Sequence, residues 1–185
     1  MKRAKKRKER PVQAAVPAAS SGRETLLAKQ VGEALQAHGM TLVTAESCTG
    51  GGVAQAITRI SGSSAWFDRG FVTYSNSSKE EMLGVTPETL EQYGAVSEAT
   101  VREMALGALE YSRAQVAVSV SGVAGPTGGT PEKPVGMVWF AWASKGTVQA
   151  ECHHFPGDRD GVRAKSVEIA LQGTLNLLNG ITKTA

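Results

Sequence analysis

The chain has 185 residues, of which 41% are hydrophobic and 20% charged. That is ordinary globular composition, long enough for one domain of about 150 residues to bury a core without disulfides or a structural metal. Two cysteines, Cys48 and Cys152, are too few for a disulfide framework or a zinc site, and no apolar run reaches the roughly 18 residues of a membrane span.

The formal net charge of +3 is unevenly spread. Residues 1–10 hold seven basic groups and one acid. Removing these from the totals of 20 and 17 leaves 13 basic and 16 acidic groups. The body is therefore weakly acidic. Residues 1–23 read as a disordered arm, basic and then rich in small residues and proline, with too little apolar surface to offset ordering entropy. Such an arm is either a tether for nucleic acid or an anionic surface, or a solvated tail. No aromatic residue interleaves its charges for base stacking. The basic start is not followed by the apolar stretch of a secretory signal. The expectation is a soluble domain over residues 24–185 in a reducing cytoplasm.

Leu26, Leu27, Val31 and Leu35 recur at helical spacing, and the helix stops at Gly39. Thr41 to Ala45 is a short β-type run. It leads through the turn Glu46-Ser-Cys-Thr-Gly-Gly-Gly52 into a helix from Val53 to Ile60. Gly62 to Trp66 reads as a loop, Phe67 to Tyr74 as a strand and Ser78 to Leu83 as a short helix. Thr86 caps a helix with Pro87 at its first position, and Ser97 caps a longer one reaching about Arg113. Gln115 to Val120 has the valine-rich look of a buried strand. The loop Gly122 to Pro134 follows. Val135 to Ala143 and Thr147 to Phe155 form a hairpin about Lys145-Gly146, and an amphipathic helix runs from Asp158 to about Leu178. Interspersed strands and helices with one antiparallel hairpin predict an α/β fold, a layered mixed β-sheet flanked by helices. Both glycine-rich segments, 46–52 and 122–130, fall at carboxyl ends of strands, where ligands bind in such sheets.

Ser47 stands at a strand-to-helix turn ahead of three glycines. Free backbone N–H groups there suit a developing oxyanion; by spacing alone, a plain helix cap by Ser47 or Thr49 is the plainer reading. The segment lacks the Gly-x-Ser-x-Gly elbow. A serine nucleophile needs a base. His38 sits at a helix end, where it complements the dipole. His153 and His154 adjoin Cys152, but neighbouring strand residues face opposite ways, so no metal site is expected. Lys79 follows a strand at the same edge as Ser47, and desolvation would lower its pKa enough for a base. A solvated helix lysine beside Glu80 and Glu81 is the plainer reading. Tyr74, five residues earlier, could relay or orient a proton. The segment Gly122-Val-Ala-Gly-Pro-Thr-Gly-Gly-Thr130 clusters N–H groups and hydroxyls suited to a phosphate. It is not a P-loop, since no Gly-Lys-Ser/Thr follows.

Several blocks resemble, in order and spacing, the CinA C-terminal domain family. They are Thr44-Ala-Glu-Ser-Cys-Thr-Gly-Gly51, Gly62-Ser-Ser-Ala-Trp66, Arg69-Gly-Phe-Val-Thr-Tyr-Ser-Asn76, Lys79, Gly94-Ala-Val-Ser97, Ser121-Gly-Val-Ala-Gly-Pro126, Lys133-Pro-Val-Gly136 and Gly157-Asp-Arg-Asp160. The resemblance spans about residues 24–180. It implies an amidase that converts nicotinamide mononucleotide to nicotinate mononucleotide and ammonia, with neither metal nor cofactor. It also implies a homo-oligomer, with Ser47 as nucleophile, Lys79 as base and Tyr74 assisting. The residues then expected at the substrate are Thr49, Gly50 and Gly51 at the oxyanion, and Ala124, Gly125, Thr127 and Gly128 at the phosphate. Arg159 and Arg163 are further phosphate candidates, for which a structural ion pair is an equal explanation. The arm lies outside the family pattern. A catalytically silent nucleotide-binding domain and an amidase for another carboxamide are the alternatives.

Overall fold

The computed structural model describes residues 22–181. Nearly all of the basic arm expected over residues 1–23 lies outside them; Gly22 and Arg23 already belong to helix α1 (Gly22–His38). After α1 the chain runs β1 (Leu42–Glu46), α2 (Gly52–Thr58), β2 (Phe67–Val72), α3 (Asn76–Leu83), α4 (Pro87–Tyr93), α5 (Glu98–Glu110), β3 (Val116–Gly122), β4 (Met137–Ser144), β5 (Thr147–His154) and α6 (Arg159–Gly180). The expected caps form: Thr86 accepts from the Thr89 N–H and Ser97 from the Thr100 N–H. The strand expected to reach Tyr74 ends at Val72, because Ser75 turns the chain into a capping box with Ser78 and starts α3 at Asn76.

The five strands form one sheet in the order β2-β1-β3-β4-β5. β1 is parallel to β2 and β3; β3, β4 and β5 are successively antiparallel. The mixed α/β sheet expected from the sequence is therefore present, with helices on both faces. Alternation along the strands separates two kinds of core. Leu42, Val116, Val118, Val120, Phe140 and Trp142 face α1, α2 and α6. Val43, Ala45, Ala117, Ala141 and Ala143 face α3, α4 and α5. Large side chains fill the first face, each contributing about 1.5–3 kcal/mol on full burial. Small ones on the second let α5 lie close, and the Ser119 hydroxyl reaches the Val101 carbonyl at 2.6 Å. Gly107 of α5 lies directly against the Leu83 carbonyl, leaving no room for a Cβ. That contact seats the end of α3 and with it the helix carrying Lys79.

Strand directions place the carboxyl ends of β1, β2 and β3 on one edge. β5 runs parallel to β3 through two antiparallel steps, so its carboxyl end, and the start of α6 beyond it, reach the same edge. Among the described residues no helix is long and apolar enough to cross a membrane, and both cysteines are free thiols.

Candidate active site

β1 ends at Glu46, and Ser47 follows with its N–H on the Val120 carbonyl at 2.9 Å. The turn beyond it needs glycine: Gly50 and Gly51 have φ of 59° and 90°, which an L side chain rarely adopts. Helical periodicity in α3 turns Lys79 inward with Leu83, one turn apart, and leaves Glu80 and Glu81 in solvent. Lys79 is 1% exposed. Its amine donates to Ser47 Oγ at 3.1 Å and to the Thr73 carbonyl at 2.8 Å. No carboxylate pairs with it among the described residues. Burial holds the amine below the usual lysine range, opposed only by the Cys48 sulfur. The solvated lysine read from Glu80 and Glu81 is not what folds.

Ser47 and Lys79 open onto a cavity of about 300 Å³, whose wall also includes Tyr74, Ala95, Val96 and Arg159. This is the lower end of the usual size for a small-molecule site. Tyr74 is 58% exposed and stands at the rim. Its hydroxyl oxygen accepts from Arg159 Nη2 at 2.7 Å, while Arg159 Nη1 donates to the Gly125 carbonyl at 2.9 Å. The first residue of α6 thus spans the rim from the β2–α3 turn to the 122–130 segment. Ala124, Gly125, Thr127 and Gly128 line the cavity as well. A larger groove of about 650 Å³ lies between α3 and α5, lined by Leu83, Leu106, Tyr111 and glutamates. Its lining brings no lysine or histidine to a hydroxyl or thiol, so the smaller cavity is the candidate site.

Thr49, Gly50 and Gly51 are not in the cavity lining. The Thr49 hydroxyl donates to the Glu46 carboxylate at 2.7 Å, and the Gly50 N–H is taken by the Ser47 carbonyl at 3.0 Å. Arg163 also turns away from the cavity, its Nη2 donating to the Thr49 carbonyl at 2.9 Å. Neither Ser47 nor Thr49 caps α2; the Glu46 carboxylate accepts from the Val53 and Ala54 N–H groups instead. Cys48 lines the cavity too, but burial pushes its thiol up to about 12, which leaves it unionised and a poor rival to Ser47. His153 packs its ring on Phe155 and Phe140 and meets Glu151 at 3.0 Å. Ala95, Val96, Ser121 and Val123 also line the cavity and are not among the site residues expected from the sequence; their local signals are the Gly94-to-Ser97 and Ser121-to-Pro126 blocks.

Fold and site together define an α/β protein with a buried Ser–Lys pair at the carboxyl edge of a mixed sheet. A family model described as the CinA C-terminal domain matches residues 24–178. The chain is 61% identical over 149 residues to the nicotinamide-nucleotide amidohydrolase PncC of Escherichia coli strain K12, covering 79% of this chain and 89% of that protein. It is 53% identical over 153 residues to the protein of the same name from Pseudomonas putida, covering 83% and 96%. A solved structure of the competence/damage inducible protein CihA from Agrobacterium tumefaciens matches with a TM-score of 0.82 at 47% identity, over 85% of this chain and 96% of that one. The chain belongs to the CinA C-terminal domain family. It is an enzyme of the hydrolase class.

Proposed function

We propose that the chain hydrolyses the carboxamide of nicotinamide mononucleotide, giving nicotinate mononucleotide and ammonia, with Ser47 as nucleophile and Lys79 as base. The 3.1 Å contact between a buried lysine amine and a cavity-lining serine carries this reading. The substrate class, a nicotinamide nucleotide, is that in the names of the two PncC relatives. In the active form Lys79 is neutral: it keeps an N–H on the Thr73 carbonyl and turns its lone pair to the Ser47 hydroxyl. Lys79 takes the hydroxyl proton as Ser47 Oγ bonds to the amide carbon. Backbone N–H groups of the turn that follows Ser47 receive the oxyanion. Collapse of the tetrahedral adduct breaks the C–N bond, and the proton held by Lys79 leaves with ammonia, Tyr74 assisting. Water, deprotonated by Lys79, then cleaves the acyl-enzyme and restores Ser47. Arg159 and the N–H groups of Gly125, Thr127 and Gly128 hold the phosphate. A cytoplasmic homo-oligomer acting in pyridine nucleotide salvage belongs to the same reading.

Ammonia release from nicotinamide mononucleotide, measured with chelator present, tests it. Wild-type protein is expected to turn over and Ser47→Ala to be inert. A folded wild type that binds the nucleotide and releases no ammonia would point to a silent nucleotide-binding domain instead.

A further inference from the structure

Glu46, the last residue of β1, is 1% exposed. Its carboxylate accepts three hydrogen bonds: from Thr49 Oγ1 at 2.7 Å, the Val53 N–H at 3.0 Å and the Ala54 N–H at 2.8 Å. Gly51, directly ahead of α2, offers no side-chain cap. Glu46 does that work from five residues further back, and so closes the whole 47–51 turn against the helix. Its backbone acts on the other partner. The Glu46 carbonyl accepts the Thr73 N–H at 2.9 Å, and the Thr73 carbonyl is the second acceptor of the Lys79 amine. One residue therefore holds the turn carrying Ser47 by its side chain and the peptide anchoring Lys79 by its main chain.

A helix cap alone does not explain this placement. A serine or aspartate next to the helix would cap α2 at the surface. Here a carboxylate is buried, and among the described residues no cationic side chain pairs with it. Burying an unpaired charge is unfavourable unless its hydrogen bonds are complete, and three donors converge to complete them. We infer that Glu46 is a positioning residue, which fixes the Ser47 turn in the one geometry that presents Oγ to Lys79. The inference rests on the amidase reading for its kinetic test.

Glu46→Gln keeps the volume and removes the fit: a carboxamide has one acceptor oxygen, and its NH2 must face one of the three donors. We expect kcat on nicotinamide mononucleotide to fall about 100-fold, as for a misplacement near 1 Å, with KM within about twofold. The acid limb of the pH profile stays where wild type has it, because Lys79 keeps its burial. Phosphonylation of Ser47 by a fluorophosphonate probe, which needs no nucleotide, slows by a similar factor. Thr49→Val removes one donor and lowers kcat by roughly three- to tenfold. A folded Glu46→Gln protein with kcat within twofold of wild type overturns the inference. So does a loss that vanishes once activity is normalised to the folded fraction. If Glu46→Gln does not fold, Thr49→Val decides, and wild-type kcat there overturns it. If wild type releases no ammonia, the amidase reading fails, and the probe alone judges Glu46: equal labelling of wild type and Glu46→Gln, or no labelling of either, overturns the inference.

Discussion

The segments 46–52 and 122–130 share a glycine-rich composition and the same edge of the sheet, yet one is clamped and the other open. Glu46, Ser47, Cys48 and Thr49 are buried, and the turn is held through the Glu46 carboxylate, the Val120 carbonyl and the Arg163 guanidinium. Residues 126–130 are exposed. Their segment is tied to the rest of the site by Arg159 at Gly125 and by the Val123 N–H on the Met137 carbonyl. Glycine serves sharp backbone turns in both, since Gly51 and Gly128 have nearly equal φ of 90° and 88°. What differs is the surroundings. A nucleophile must meet its base within a few tenths of an ångström, whereas a phosphate held by several N–H groups tolerates adjustment.

The largest effect tests the clamped side. Lys79→Met is expected to lower kcat by roughly 10²–10⁴-fold, the usual cost of losing a general base, with the fold intact by circular dichroism. In wild type, kcat/KM should rise with pH along an acid limb centred below the ordinary lysine value of about 10.4, because the neutral amine is the active form. Stability follows the same sign. Between the depressed folded pKa and the unfolded one the unfolded chain binds more protons, so the Lys79 contribution to stability rises with pH across that window. Below it the buried ammonium carries its full cost. Chemical denaturation of wild type and Lys79→Met at several pH values checks this: the two slopes should differ there and agree below. A limb at or above the ordinary lysine value would remove the neutral amine from the mechanism.

On the open side, Arg159→Ala is expected to raise KM for nicotinamide mononucleotide by about ten- to a hundredfold, the worth of a charge-assisted hydrogen bond. A fall in kcat with KM unchanged would instead assign Arg159 to Tyr74, whose hydroxyl it also holds.

How much of this was legible beforehand depends on how local each contact is. The strand–turn–helix at Ser47 and the caps at Thr86 and Ser97 are short-range and were readable from spacing. The inward side of Lys79 was readable in principle, since residues 79 and 83 lie one turn apart; the adjacent pair Glu80 and Glu81 outweighed that signal. By local pattern Glu46 is only the first residue of the turn 46–52. Its burial depends on donors at positions 49, 53 and 54, which converge only once α2 has docked. Arg159 reaches the rim only because two antiparallel steps return β5 to the direction of β1, a matter of sheet order that no local pattern encodes.

Paired glycine substitutions compare the two segments directly. Gly51→Ala and Gly128→Ala both meet open or ordinary contact distances, 3.5 Å to Val72 and 4.0 Å to Val123. Any cost is therefore backbone strain, of order 1–3 kcal/mol for a residue held in this region. We expect Gly51→Ala to lose that amount in chemical denaturation and to lower kcat. Gly128→Ala should lose less, because its exposed segment can shift to relieve the angle. Equal losses would mean that 122–130 is as firmly held as 46–52, and the contrast between them would fall.

The smallest effect is expected at Cys48, the one cavity-lining thiol. It is adjacent to Ser47 and more nucleophilic in principle, but a thiol pushed up to about 12 is almost wholly protonated near neutral pH. Cys48→Ala should therefore keep kcat within about twofold, at the cost of a small cavity worth roughly 1 kcal/mol. Iodoacetamide should label the native protein at Cys48 far more slowly than the unfolded chain. Rapid labelling with parallel loss of activity would show that the clamped segment opens in solution. The tight Ser47–Lys79 contact would then be one of several arrangements of that turn, and the contrast with 122–130 would be one of degree.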